Sequence, residues 1–136
     1  MGLRDLSTQQ IVLRPFYDGG FQTQGERVRD SLLAPFSGAK IGEVEVAAEA
    51  DLEAAIASAQ QGFLTMRGLT RGERRELLEG VSRRLLAGRE ALAREIQESC
   101  GKPIAQARSE VDRAALTFSL AGDEARRFGG EFVPLD

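Results

Sequence analysis

Histidine and tryptophan are absent from the sequence, and Cys100 is its only cysteine. The lack of histidine excludes His-based general bases, Ser-His-Asp triads and most zinc sites. A single cysteine excludes an internal disulfide and cannot form a metal-binding cysteine cluster. Several of the commonest catalytic and metal-binding arrangements are therefore not available to these residues.

Basic charge and long apolar runs are scarce as well. The chain has 18 Lys and Arg against 21 Asp and Glu, which gives a net charge of −3 where a nucleic-acid binder needs a basic face. No apolar run approaches the roughly 18–20 residues that span a bilayer. The opening residues MGLRDLSTQQ lack the apolar segment of a signal peptide. We therefore expect no nucleic acid, no membrane and a cytoplasmic location.

The chain has enough residues for one domain with one core. Its 136 residues are 42% hydrophobic and 29% charged, as in an ordinary globular protein. Residues 1–15 are polar and lack periodicity, so we predict a loosely ordered N-terminal tail there. A hairpin is predicted over about 20–46, because Ser37-Gly38 favours a turn and Val44 and Val46 alternate with glutamates as in a half-buried strand.

A helical period begins at residue 49 and continues to about 129. Apolar residues in the first helix lie on one face, and Thr70 with Glu73 forms the capping box of a second helix. Gly101 suits the position just after a third helix, and Pro103 suits the first turn of a fourth. The residues that define the first apolar face are Leu52, Ile56, Ala59, Phe63 and Met66. The predicted fold class is α+β and mostly helical: a short antiparallel hairpin, about four helices and a terminal strand within 131–135.

Cys100 has two possible roles. As a nucleophile it would need its thiol pKa lowered, with Lys102 as the nearby cation. As a structural residue it would be a small, buried apolar side chain at a helix end. The negative end of the helix dipole raises a thiol pKa, and the sequence has no histidine to act as base. The structural role is favoured.

Lys102 also has a functional and a structural interpretation. It could contact a phosphate or act as a Schiff-base amine, but a lysine that bridges two helices near free carbonyl groups is the simpler expectation. The arginine pairs of the helices alternate with glutamates, which is typical of solvated helix faces. No G-x-G-x-x-G or P-loop pattern is present.

Arg108 and Asp112 are the least easily explained charges. They lie four residues apart on the last predicted helix. The simpler interpretation is a solvated ion pair. The alternative is that this edge of the helix lines a pocket formed with another part of a larger protein.

Three segments in order resemble the aldehyde dehydrogenase superfamily. The first is APFSGAKIGEVEVAAEADLEAAIASAQQGF, which is similar to the family's opening hairpin and its alanine-rich helix. The second is TRGERRELLEGVSRRLLAGREALAREI, which is similar to an R-x-x-L-L-x-x-x-A-x-x-L pattern. The third is ESCGKPIAQARSEVDRAALTFSLAGDEARRFGGEFVPLD, which is similar to the family's E-x-G-K-P and A-x-E-A-R patterns, with one more residue after the first letter of each, and contains E-V-x-R and G-E-x-x-P. The resemblance covers 16–136, and its E-V-x-R and T-F patterns look most like the lactaldehyde and non-phosphorylating glyceraldehyde-3-phosphate dehydrogenase branch.

The resemblance implies a structural role for this segment. In the family, the position of Cys100 is usually Thr or Ser at a helix end, and the catalytic cysteine, the acidic base and the oxyanion-holding Asn come much later. The residues that bind NAD(P) also lie beyond Asp136. No catalytic, cofactor-binding or metal-binding residue is therefore expected here, and 16–136 would be the N-terminal part of the cofactor-binding domain. The family's equivalent of the last helix borders the substrate tunnel, so Arg108 and Asp112 would line it and favour a small polar or anionic aldehyde.

The resemblance thus implies the N-terminal segment of an NAD(P)-dependent aldehyde dehydrogenase. The complete enzyme would oxidise an aldehyde to a carboxylate through a thioester, with NAD or NADP as cofactor, as a homo-oligomer. This segment alone would bind no cofactor and be inactive, and its partner would be the remainder of the chain. A different possibility is a non-catalytic helical interaction module, or one part of a split enzyme; an independent catalyst that uses Cys100 is a third. A segment of a larger enzyme should expose apolar surface that a self-contained module would bury.

Overall fold

The computed structural model describes residues 11–130 and 133. Five short strands precede four helices, which confirms the predicted α+β, mostly helical class; the predicted terminal strand lies outside the described residues except for Val133. The strands are β1 Ile11–Leu13, β2 Phe16–Tyr17, β3 Gly20–Phe21, β4 Arg29–Leu33 and β5 Lys40–Glu45. The helices are α1 Glu49–Gly68, α2 Arg71–Ala87, α3 Arg89–Cys100 and α4 Ile104–Arg127.

The described residues divide into two compact units. The first contains the strands, α1 as far as Thr65, and Glu98–Gly101. The second contains Met66–Gln97 and the residues from Lys102 onward. Among the described residues, no helix is both long and apolar enough to cross a membrane.

The predicted hairpin is present and belongs to a larger sheet in the first unit. Strands β4 and β5 pair antiparallel, and β1 pairs parallel with the other edge of β5, giving the order β1-β5-β4. Strands β2 and β3 form a separate antiparallel pair. The expectation of a loosely ordered tail over 1–15 is therefore wrong for Ile11–Leu13. Three residues are too few to show a period in the sequence, and their order comes from hydrogen bonds to a strand about 30 residues later.

The predicted alternation holds only in part. Val44 of β5 is half-buried, but Glu45 is only 8% exposed and Val46, just after β5, is 44% exposed. Ion pairs explain the difference, because Glu45 accepts a 2.8 Å hydrogen bond from Arg29 and lies 3.3 Å from Arg14 Nε. A carboxylate can be buried when guanidinium groups surround it.

Helix α1 turns small and polar residues toward the rest of the first unit. Asp51 is buried, and Ala54, Ala55 and Ser58 are half-buried. The larger apolar residues on the neighbouring face are exposed: Leu52 by 58%, Ile56 by 46% and Phe63 by 62%. The apolar face that the sequence predicts exists, but within the described residues it points to solvent.

The second unit has a small core between helices. Ala93 of α3 packs with Ala107 and Val111 of α4, and Leu92, Ile96 and Ile104 flank them. Helix α2 also packs on α4, where the Ser82 hydroxyl donates a 2.8 Å hydrogen bond to the Ala115 carbonyl. In the described part of the chain the buried apolar side chains are Ala93, Ala107, Val111 and Ala115. None is larger than valine.

Candidate functional site

Cys100 is the last residue of α3, which confirms the predicted helix end. Its side chain is exposed, so the expectation that it is buried is wrong. Its Sγ lies 3.6 Å from Ser99 Oγ, and a hydroxyl is not a base that could generate a thiolate at neutral pH. Among the described residues, no three His, Cys, Asp or Glu side chains are grouped so that they could hold a metal ion. This geometry favours a structural role.

The glycine after Cys100 has a clear physical requirement. Gly101 has φ of +70°, a conformation that a side chain disfavours, and a Cβ placed there would lie 3.3 Å from Pro35 Cγ. The Gly-Lys-Pro segment therefore allows a close approach to the β4–β5 turn. The next residue, Lys102, donates a hydrogen bond to Glu110 of α4. It therefore ties the loop between α3 and α4 to α4.

A buried charge cluster fixes the start of α1. Arg27 donates from Nε and Nη2 to the two carboxylate oxygens of Asp51, at 2.8 and 2.6 Å. Asp51 also accepts from the Tyr17 hydroxyl at 3.0 Å and from the Ala48 backbone N–H at 2.9 Å. The Arg27 and Asp51 side chains are only 6% and 5% exposed. The strands and the first turn of α1 are therefore joined through one carboxylate.

The cluster shifts the pKa of its members in the directions that pairing requires. Hydrogen bonds from Arg27, and then from the Ala48 N–H, hold the pKa of Asp51 far below its usual range. Burial, and then the bond to Asp51, raises the pKa of Tyr17. The sequence alone does not reveal this cluster, because Arg27 precedes Asp51 by 24 residues. No local pattern connects the two.

The structure gives Arg108 and Asp112 partners on α3 and does not pair them with each other. Arg89 donates to both oxygens of Asp112, at 2.6 and 2.7 Å. Arg108 donates to Glu90 from Nε and Nη2, at 3.0 and 2.9 Å. The Arg89 guanidinium lowers the pKa of Asp112, and Arg108 lowers the pKa of Glu90. The role of Arg108 and Asp112 in lining a tunnel stays a prediction.

Two open cavities in the second unit offer no catalytic grouping. One, of about 410 Å³, has an apolar floor that includes Leu85, Leu92 and Ile96. The other, of about 570 Å³, lies beside the start of α2 and is bordered by Arg71 and Phe128. Beside this second cavity, Thr70 and Arg74 make internal hydrogen bonds.

The start of α2 shows how those groups are engaged. Thr70 Oγ1 accepts from the Glu73 N–H at 3.2 Å, and Glu73 accepts from the Thr70 N–H at 2.7 Å, which confirms the predicted capping box. These bonds hold the pKa of Glu73 below its usual value. Arg74 Nη2 donates to the Met66 carbonyl at 2.9 Å. The capping box therefore stabilises the start of α2, and Arg74 stabilises the end of α1.

The described residues do not fit a dinucleotide. A pyrophosphate is held by a glycine-rich turn that joins a strand to the start of a helix. The connection of this kind in the described residues, 46–48 between β5 and α1, is Val-Ala-Ala. It has no glycine, and the Asp51 carboxylate already accepts the Ala48 N–H.

A family model and several known proteins match this chain. The model described as the aldehyde dehydrogenase family matches residues 22–136. An aldehyde-dehydrogenase-like protein of Sinorhizobium fredii is 38% identical over 103 residues, covering 76% of this chain and 20% of that protein. The 3-sulfolactaldehyde dehydrogenase of Priestia aryabhattai is 31% identical over 121 residues, covering 89% of this chain and 24% of that protein.

A solved structure extends the similarity to the fold. Aldehyde dehydrogenase 21 of Physcomitrella patens, in complex with the reaction product succinate, matches with a TM-score of 0.84 and 29% identity. The match covers 95% of this chain and 27% of that chain. The present chain thus spans about a fifth to a quarter of the length of the relatives it matches.

Proposed function

The chain belongs to the aldehyde dehydrogenase family, and from this premise we propose that it forms the N-terminal part of the cofactor-binding domain of an NAD(P)-dependent aldehyde dehydrogenase. The complete enzyme would oxidise an aldehyde to a carboxylate through a thioester and would assemble as a homo-oligomer in the cytoplasm. Its catalytic residues and its NAD or NADP site would lie in the remainder of the polypeptide. This segment would supply scaffold.

The observation that carries this proposal is that the buried apolar side chains are small, whereas many large apolar side chains are exposed. The buried apolar side chains of the described residues are three alanines and one valine. Large apolar side chains are exposed on α1, α2 and α4, among them Leu77 by 46%, Leu116 by 58% and Leu120 by 55%. Contiguous exposed apolar surface marks an interaction site. A segment of a larger domain would have this property, because other parts of that domain would cover it.

The same observation disfavours a self-contained interaction module. A module that folds alone needs a core of large apolar residues, or staples such as disulfides and metals. The only cysteine here is exposed, and the described residues form no metal-binding group. One part of a split enzyme remains compatible with this surface, since a second polypeptide could then cover it.

Assay of the purified chain tests whether it is itself a catalyst. Incubation with an aldehyde and NAD or NADP should give no absorbance at 340 nm above that of the chain-free blank. The physical reason is that the Cys100 thiol contacts the Ser99 hydroxyl, which is not a base, and that the described residues do not fit a dinucleotide. Clear formation of reduced nicotinamide that disappears in Cys100→Ser would refute the proposal and favour the independent catalyst.

A substrate preference can be tested in a chimera in which this chain replaces the matching segment of the Priestia aryabhattai enzyme. If Arg108 lines the tunnel, Arg108→Leu should lower kcat/KM for an anionic aldehyde about tenfold relative to a neutral one, since a hydrogen bond to a charged group contributes about 1.5–3 kcal/mol. The 3-sulfolactaldehyde named for that enzyme and the succinate bound to the moss enzyme are small anions, which supports this expectation.

Arg113→Leu is the matched control for Arg108→Leu. It removes the same charge from the same helix, and its side chain is 75% exposed. An unchanged preference among aldehydes in Arg108→Leu would contradict the tunnel role and leave Arg108 as the partner of Glu90. Membership of the lactaldehyde-like branch stays a prediction, and the same comparison of aldehydes tests it.

A further inference from the structure

We propose that the exposed apolar face of α1 is the surface on which the remainder of the dehydrogenase polypeptide docks. This face, formed by Leu52, Ile56, Ala59 and Phe63, is called the α1 stripe below. The inference rests on the proposed function and adds to it a specific docking surface, with residues 52–63 as its centre.

The α1 stripe is held outward by the polar anchors of the helix. On the packed face, Asp51 is fixed by Arg27 and Tyr17. Two helical turns later, Ser58 Oγ accepts a 3.1 Å hydrogen bond from the Asp18 backbone N–H. Turning the stripe inward would break both anchors and separate the buried Arg27 from Asp51, its closest counter-charge. These polar contacts therefore keep the large apolar side chains of α1 exposed, where a partner can contact them.

The composition of the stripe is that of an interface core. Its residues recur at spacings of 4, 3 and 4, so they form one continuous ridge over three turns. Between Leu52 and Thr65 the helix has one charged residue, Glu53. Permanent interfaces are depleted of charge at their centre and enriched in aromatic residues such as Phe63. A solvated helix face would carry more charge.

The length of the relatives supports this occupant. The chain covers 27% of the moss enzyme and matches it over 95% of its own residues, so most of that enzyme lies outside the matched segment and is available to cover the ridge. A second copy of this chain fits less well. Apolar heptads sustained over three to four repeats indicate a coiled coil between two copies, and this seam spans fewer than two.

The test places Phe63→Asp and Gln61→Asp in the chimera and in the isolated chain. Gln61 is exposed on the opposite side of α1, so its substitution adds the same charge away from the stripe. Phe63→Asp should reduce the yield of soluble, active chimera at least tenfold, whereas Gln61→Asp should leave it within twofold. In the isolated chain both variants should keep the helical circular dichroism, because Phe63 is already 62% exposed.

Thiol labelling provides a readout independent of activity and of the charged variant's folding. In a Cys100→Ser background, Phe63→Cys should react freely in the isolated chain and at least tenfold more slowly in the chimera, while Gln61→Cys should react alike in both. Equal labelling of Phe63→Cys in both proteins, with Phe63→Asp as active as Gln61→Asp, would overturn the inference. Protection that appears in the isolated chain on raising its concentration would overturn it in favour of a second copy. The activity of the unsubstituted chimera tests the proposed function separately.

Discussion

Asp51→Asn should strongly destabilise the first unit, lowering its melting temperature by roughly 10 °C. The substitution keeps the size of the side chain but removes the charge that Arg27 faces across 2.6 Å. Arg27, whose side chain is only 6% exposed, would then lose its closest counter-charge and keep only Glu45, 3.9 Å from its Nη1, and removing one partner of a buried pair is among the most damaging changes. Thermal unfolding followed by circular dichroism at 222 nm measures the loss.

Glu49→Gln is the matched control for Asp51→Asn, since Glu49 is exposed in the same first turn of α1. It should change the melting temperature by less than about 2 °C. If the two variants melted together, the Arg27–Asp51 pair would not be what fixes the start of α1.

The same pair has a defined pH dependence. The pKa of Asp51 is lowered from its ordinary 3.8, so its contribution to stability is complete above that value and is lost as the pH falls through the lowered pKa. The difference between the native chain and Asp51→Asn should therefore be constant from neutral pH down to about pH 4.5 and narrow only in stronger acid. A difference already absent at about pH 5.5 would contradict the lowered pKa.

Ala107→Leu should destabilise the second unit by about 1–3 kcal/mol or more. Ala107 and Ala93 are fully buried where α3 meets α4, so three added heavy atoms have no space unless the helices separate. Ala105→Leu is the control, because Ala105 is exposed on the same helix and leucine has nearly the helix propensity of alanine. The midpoint of urea unfolding should fall for Ala107→Leu and stay nearly unchanged for Ala105→Leu. Equal midpoints would mean that α3 and α4 do not pack through these alanines.

Sequence patterns that act over a few residues predicted the structure well. The capping box needs only Thr70 and Glu73, three residues apart, and the end of α3 needs only Gly101 and its positive φ. The turn before β5 likewise depends on Gly38, which has φ of +68°. In each case the backbone requirement and the residue that satisfies it lie in one short segment.

Contacts between distant residues were not predictable in the same way. The i,i+4 spacing of Arg108 and Asp112 suggested a pair, yet their partners come from α3, 18 and 23 residues earlier. β1 is ordered by β5, and Glu45 is buried because arginines surround it. Spacing shows which residues share a face but not what the face meets.

The α1 stripe shows this limit most clearly. The helical period identified the face correctly, and the usual expectation is that such a face packs on the core of its own chain. Asp51 and Ser58 turn a neighbouring face inward instead. This sequence matches only about a quarter of the length of its relatives, so it does not contain what would cover the face under the proposed function.

The rate at which the chimera reduces NAD or NADP tests the central claim most directly. The unsubstituted chain would replace the matching quarter of the Priestia aryabhattai enzyme, with the moss enzyme as a second host, and activity would be followed at 340 nm. If this chain is the N-terminal part of a dehydrogenase domain, at least one chimera should be soluble and active while the host without that segment is not. Chimeras that are soluble but inactive in both hosts would contradict the claim and favour a self-contained module.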